Sequence, residues 1–136
     1  MEQMKNPIKV VEVIPLTVHN GDSNAVLASS AVDMQQGPGY ETALVIAQLG
    51  AVGANVSALT LAIQESDVSD FASSSVIQGG TAVSVLAGNA TFTFQVKRTK
   101  RYMRAVLTPT EAGAADDINI AVSAILSNWA LPMNIR

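Results

Sequence analysis

Between Thr91 and Pro109 the chain reads TFTFQVKRTKRYMRAVLTP, and its apolar residues alternate with polar ones. Phe92, Phe94 and Val96 fall on one side, and Thr91, Thr93, Gln95 and Lys97 on the other. That is the period-two pattern of a strand with one face on a core and one in water. A second run, Tyr102 to Thr108, is rich in strand-favouring residues, while Arg98-Thr99-Lys100 between them has nothing apolar to bury. The pattern predicts a β-hairpin of two antiparallel strands with a basic tip.

The remaining strands follow by the same rule. Ile8 to Val18 is rich in Val and Ile, but Pro15 confines it to an edge or a strand junction, and His19-Asn20-Gly21-Asp22 predicts a turn. Asn24 to Gln36 reads as a strand with Val26, Ala28, Ser30 and Val32 on one face, although its Ala content also permits a short helix. Gly37-Pro38-Gly39 ends it. Glu41 to Gly50 is a continuous apolar run, as expected of a strand buried on both faces, and Gly50 to Gly53 breaks it. Asn55 to Glu65 alternates cleanly around Leu59, Leu61 and Ile63. A polar loop, Ser66 to Ser75, holds Asp67, Asp70 and an anchoring Phe71. Val76-Ile77, a Gly79-Gly80 turn and a short strand Ala82 to Leu86 come next, and Gly88-Asn89 closes that strand. After a polar loop from Glu111 to Asp117, a last strand alternates through Ile118, Ile120 and Val122 to about Leu126.

Eight or nine short strands with turn signals between them, and no sustained 3.6-residue period, predict an all-β fold: a single-domain antiparallel β-sandwich of jelly-roll-like type. The expected organisation is an N-terminal arm over 1–7, the sandwich over 8–127 and a C-terminal tail over 128–136. The arm is polar and cut off by Pro7. The tail carries Trp129, Leu131, Met133 and Ile135, too much apolar surface to leave in water, so it is expected to fold back on its own domain or to lie across a neighbouring subunit.

At 136 residues the chain is long enough for one domain with a sizeable core. It contains no cysteine, which removes disulfides and thiolate metal sites and leaves the redox compartment open. Met1 to Asn6 lacks the apolar run of a secretory signal, and the most apolar window, Ala43 to Leu61, is interrupted by Gln48, Gly50, Gly53, Asn55 and Ser57. A soluble protein that does not engage a membrane is the expectation.

Charge adds one feature. The net charge is −3, yet Lys97, Arg98, Lys100, Arg101 and Arg104 place five of the eight basic residues in one stretch. A solvated hairpin tip whose edge lysines discourage sheet-to-sheet aggregation is the plain reading, and a basic knob docking on an acidic protein surface is the functional one. Nucleic acid is not expected as a partner, because the chain is acidic overall and only Tyr102 interleaves the cluster.

Candidate chemistry is thin. His19, the only histidine, sits beside an Asn-Gly turn, and no serine lies in a G-x-S-x-G motif. Gly37-Pro38-Gly39 and Gly79-Gly80 lack the Lys and helix start of a phosphate loop. Glu65, Asp67 and Asp70 place three carboxylates within six residues, but not with the spacing of a calcium loop. No catalytic, cofactor or metal site is expected, and the chain reads as a non-enzyme.

The runs ETALVIAQLGAVGANVSALTLAIQESDVSDFASS and GGTAVSVLAGNATFTFQVKRTKRYMRAVLT, roughly Glu41 to Thr108, resemble the capsid decoration or cement proteins of tailed bacteriophages. Gln64, Glu65, Ser66 and Asp67 match the loop motif of that group, and Lys100, Arg101, Tyr102 and Arg104 match its later strand. The resemblance implies a virion protein, made in the bacterial cytoplasm and mounted on the capsid exterior. It also implies a homotrimer that bridges adjacent major capsid proteins. The resemblance does not say which residues make the bridge; the basic stretch and the apolar tail supply the expected interface, Lys97, Arg98, Lys100, Arg101 and Arg104 together with Trp129, Leu131, Met133 and Ile135. The alternatives are another virion part, such as a tail-tube or head-completion protein, and a β-sandwich carbohydrate-binding module.

Overall fold

The computed structural model describes residues 8–20, 26–35, 39–86, 88–112 and 116–127. All its regular structure is β, in ten strands: β1 (Ile8–Asn20), β2 (Leu27–Ala28), β3 (Val32–Asp33), β4 (Thr42–Val52), β5 (Val56–Ser66), β6 (Ser75–Val76), β7 (Val83–Ser84), β8 (Ala90–Lys97), β9 (Tyr102–Glu111) and β10 (Asp117–Ser127). No helix among the described residues is long and apolar enough to cross a membrane.

Two antiparallel sheets pack face to face. The first has the order β1-β10-β4-β8, and the second has β2-β9-β5-β6, with β3 also on β9 and β7 also on β5. Taking β2 with β3 and β6 with β7 as interrupted single strands, the pairs are nested from the chain ends inward: first with last, then β2/β3 with β9, β4 with β8, and β5 with β6/β7. A long hairpin folded over on itself gives this order, which is the jelly roll. The described part of the Asn24–Gln36 region, residues 26–35, therefore holds two short strands rather than a helix.

Alternation decides what fills the space between the sheets. Ala43, Val45, Ala47 and Leu49 of β4 and Ile118, Ile120, Val122, Ala124 and Leu126 of β10 face Leu59, Leu61 and Ile63 of β5 and Met103, Ala105 and Leu107 of β9. These side chains are small or β-branched for the most part, which suits two closely apposed sheets. Leu44 and Ile46 on the other side of β4 are only half-buried and Gln48 is exposed, so β4 is not buried on both faces as its apolar run suggested. That run is continuous because both faces carry aliphatics, not because both are covered. The break comes at the far end of the expected Gly50 to Gly53 stretch, since the strand runs on to Val52 and the turn begins at Gly53.

β1 is an edge strand, as Pro15 requires, and its pairing with β10 shifts register on both sides of Ile14. His19 and Asn20 belong to this strand, opposite Ile118 and Asp117, rather than to the expected turn; the rest of that turn, like 1–7 and 128–136, lies outside the described residues.

The largest departure concerns Thr91 to Pro109. β8 and β9 do not pair with each other: β8 lies in the first sheet against β4, and β9 lies in the second against β5. Residues Arg98 to Arg101 are an arch that carries the chain across the core, not the tip of a hairpin. Alternation reports which face of a strand is wet but says nothing about which strand it pairs with.

On the side of the sandwich away from β1, the two sheets are stitched together. Gln78 bridges Lys97, whose amide donates to the Gln78 carbonyl at 3.0 Å. Gly79 follows at φ +87°, and a Cβ built there would stand 1.9 Å from the Gln95 carbonyl oxygen. Gly79→Ala combines left-handed strain with that overlap and is expected to cost roughly 2–4 kcal/mol. Urea unfolding of the variant with an unchanged midpoint would show that the seam is not as tight as described.

Candidate functional site: the basic arch

The arch is built around a carboxylate. β5 presents Leu59, Leu61, Ile63 and Glu65 on its core-facing side, so Glu65 occupies the last position of an otherwise aliphatic row and is only 4% exposed. A buried carboxylate is costly unless it is given donors. The arch supplies three: Thr99 N at 2.7 Å and Lys100 N at 2.9 Å reach Oε1, and the Thr99 hydroxyl reaches Oε2 at 2.8 Å. Such charge-assisted bonds are individually stronger than neutral ones.

The guanidinium groups reinforce the same crossing. Arg98 donates through Nε to the Tyr40 carbonyl and through Nη1 to the Lys100 carbonyl at 3.4 Å, while its amide reaches the Glu41 carbonyl at 2.9 Å. Arg101 forms a fork on Asp33, with Nε to Oδ1 at 3.0 Å and Nη2 to Oδ2 at 2.9 Å, and lies 5.1 Å from the Tyr102 ring centre. Its guanidinium holds the Asp33 carboxyl below the ordinary value of 3.8, and the Asp33 carboxylate raises Arg101 in return. Arg104 binds Gln64 Oε1 at 3.0 Å and stacks 4.4 Å above the ring of Phe71.

Phe71 itself is buried at 7% exposure and adopts φ +56°, an unusual conformation for an aromatic residue. Its loop is pinned by Asp70 Oδ1, which accepts the Ala72 amide at 2.9 Å, and by Ser66 Oγ, which accepts the Val68 amide at 3.1 Å.

Of the five basic residues gathered by sequence, Arg98, Arg101 and Arg104 each have an acceptor within the fold. Lys97 is exposed at the end of β8, and Lys100 is half-buried with its amide on Glu65. The stretch is thus a folding device first, with two lysines available at its surface. Trp129, Leu131, Met133 and Ile135 lie outside the described residues. The three acids considered as calcium ligands part company, since Glu65 turns inward while Asp67 and Asp70 stay on the exposed loop, and no cluster of three or more His, Asp or Glu suited to a metal ion occurs among the described residues. Sequence reasoning missed the role of Glu65, although its place in the row Leu59-Leu61-Ile63-Glu65 carried the signal.

No family model matches the chain, and no curated protein matches it. Among solved structures, the crystal structure of PBSX exported protein XepA matches with a TM-score of 0.62 at 15% sequence identity, over 94% of this chain and 40% of that one. The fold is what the two share. This chain accordingly spans about 40% of the length of that protein.

Two outcomes test this arrangement. Glu65→Ala removes all three acceptor contacts and is expected to cost on the order of 3–5 kcal/mol, with Glu65→Gln costing less than half as much. Equal losses in chemical denaturation would remove the special role of the charge. For Asp33 the folded pKa is depressed, so its contribution is complete above about 3.8 and is lost as pH falls through the lowered folded value. Asp33→Asn should therefore melt slightly below the parent protein at neutral pH, with the gap closing in acid; a gap independent of pH would contradict the pairing.

Proposed function

We propose that the chain is a non-enzymatic structural component of a phage virion. More specifically, it acts as a decoration or cement protein that sits on the capsid exterior as a homotrimer and bridges neighbouring major capsid proteins. The observation that carries this reading is the jelly roll shared along 94% of the chain with the phage PBSX exported protein XepA. The resemblance of Glu41 to Thr108 to decoration proteins points the same way.

The surface supports a binding role through packing. Val10, Leu16 and Val18 of the edge strand β1 are 69%, 82% and 55% exposed, and apolar side chains grouped in this way mark a face to be covered. A modest interface repeated around a symmetric oligomer gains affinity by multivalency, which suits a clamp on a symmetric shell. Lys97 and the Lys100 ammonium would supply the electrostatic part of docking on an acidic capsid surface. Among the described residues stacking on a sugar is less well supported, because Tyr40, Phe71 and Phe94 are buried and Phe92 and Tyr102 half-buried.

Purified protein mixed with undecorated phage heads is expected to pellet with them at a fixed stoichiometry. Lys97→Glu with Lys100→Glu should weaken that binding about tenfold at low salt, because it reverses charge without touching the contacts of Arg98, Arg101 or Arg104. A protein that stays in the supernatant at every concentration would remove the decoration reading. Binding unaffected by the two reversals would move the docking face away from the arch.

A further inference from the structure

On the flank opposite the Gln78–Lys97 seam, a groove runs between β1 and the Leu27–Asp33 segment. Two cavities follow one another along it. The first, of about 220 Å3, is lined by Val11, Val32 and Leu126 among others; the second, of about 350 Å3, is lined by Val13, Ile14, Leu16 and Leu27 among others. Val13 and Ile14 are almost fully buried, whereas Leu16 is 82% exposed. Pro15 has no amide hydrogen to offer and β1 is irregular on both sides of Ile14, so a regular ladder cannot form along this edge. What the groove offers an occupant is apolar volume.

Reach decides what can fill it. Leu126 lines the first cavity, so the chain leaves β10 at the mouth of the groove. Ser127 lies opposite Ile8, and the register shifts of β1 bring Ile14 opposite Val122, five residues back from Ser127, or roughly 17 Å at about 3.4 Å per residue. The nine residues 128–136 span up to about 30 Å. After a reversal at the turn-favouring Asn128, the six residues from Leu131 onward cover about 20 Å, enough to bring Met133 and Ile135 level with Val13 and Ile14. Trp129, Leu131, Met133 and Ile135 alternate, so an extended segment presents all four on one side. The arm over 1–7 leaves the same corner, but Met1 and Met4 are its only large apolar side chains. A tethered segment this short acts at an effective concentration on the order of millimolar, so at micromolar protein it outcompetes the same segment of a second copy about a hundredfold or more.

We infer that residues 128–136 fold back along this groove as a strap on their own domain, with Met133 and Ile135 in the cavity beside Val13 and Ile14, and Trp129 and Leu131 over the one beside Val11 and Leu126. The strap closes by apolar contact the flank that, among the described residues, has no counterpart of the Gln78 bridge. It removes from water the apolar surface of both groove and tail. The contact requires no capsid and stands whether or not the decoration reading does.

The chain has no cysteine, so an introduced pair reports the contact without interference. Ser30→Cys, exposed beside the larger cavity, is combined in the full chain with Met133→Cys or with Ile135→Cys; in the controls Thr110→Cys, exposed near the end of β9, takes the place of Ser30→Cys. Under mild oxidation at micromolar protein, at least one Ser30→Cys pair should close at least about tenfold faster than its control, and the product should run as a single chain on a non-reducing denaturing gel at every concentration. Emission of Trp129, the only tryptophan, should be blue-shifted and constant on dilution. Met133→Asp with Ile135→Asp should move it to the red with circular dichroism unchanged; the cysteine pairs keep the test decisive should that variant fail to fold. A two-chain disulfide product gives the cleft to a second copy and overturns the inference, as do pairs that close no faster than their controls or an emission that ignores the two aspartates. A strapped protein that fails to pellet with phage heads would sink decoration and leave this contact standing.

Discussion

The Glu65 carboxylate sits where the chain has to change sheets. β8 closes one sheet and β9 crosses the middle of the other, with only Arg98 to Arg101 between them. In that space the backbone turns away from β4 and loses its ladder partners, so the amides of Thr99 and Lys100 would be left unpaired beside the core. Both donate to one oxygen of Glu65. The cost of burying a charge at the end of an aliphatic row is thereby offset by the amides that most need an acceptor. β9 then starts in register with β5, since Tyr102 lies opposite Ser66, the residue after Glu65. One side chain fixes both the crossing and the alignment of the strands that follow.

Nested pairing has a second consequence. Chain ends that pair first with last must lie side by side, and Ile8 stands opposite Ser127. Both terminal segments therefore leave from one corner of the first sheet, next to the edge strand. The two open sides of the sandwich are treated differently. Beside β8, the Gln78 bridge and the close approach of Gly79 to Gln95 leave no gap. Beside β1, the edge is bent by Pro15 and its bulges and faces the short strands β2 and β3, and two cavities, of about 350 and 220 Å3, lie there. The two sheets are thus tied to each other beside β8 and part around a cleft beside β1.

Much of this was written in the alternation of residues. The core rows of β5, β8 and β10, the edge character of β1, the buried Phe71 and the two-sheet class all follow from periods and breakers. Pairing partners did not follow, because a strand's pattern is the same whether its neighbour in sequence joins it or crosses to the opposite sheet. A cue was present even so. Arg-Thr-Lys-Arg contains no Gly or Asn to take the positive φ of a tight hairpin, and four such residues suit an arch better. Likewise, grouping Glu65 with Asp67 and Asp70 by proximity in sequence hid its place in the row of Leu59, Leu61 and Ile63, where period two puts it under the core.

The basic stretch shows how local charge density misleads. Five cations in eight residues look like a docking surface, yet a guanidinium offers donors in several directions and can tie together segments distant in sequence. Arg98 joins the arch to the Tyr40 carbonyl ahead of β4, Arg101 joins it to β3, and Arg104 spans β5 and the Phe71 loop. These three are arginines, where planar, multiple donation is needed; the two whose ammonium groups are left for the surface are lysines. The choice of cation at each position thus separates the part of the cluster that holds the fold from the part that faces outward. On the opposite flank it is apolar shape, at Leu16 and the cleft behind it, that the described residues leave exposed. A partner recognised through this body meets charge at the arch and exposed aliphatic side chains at the edge strand.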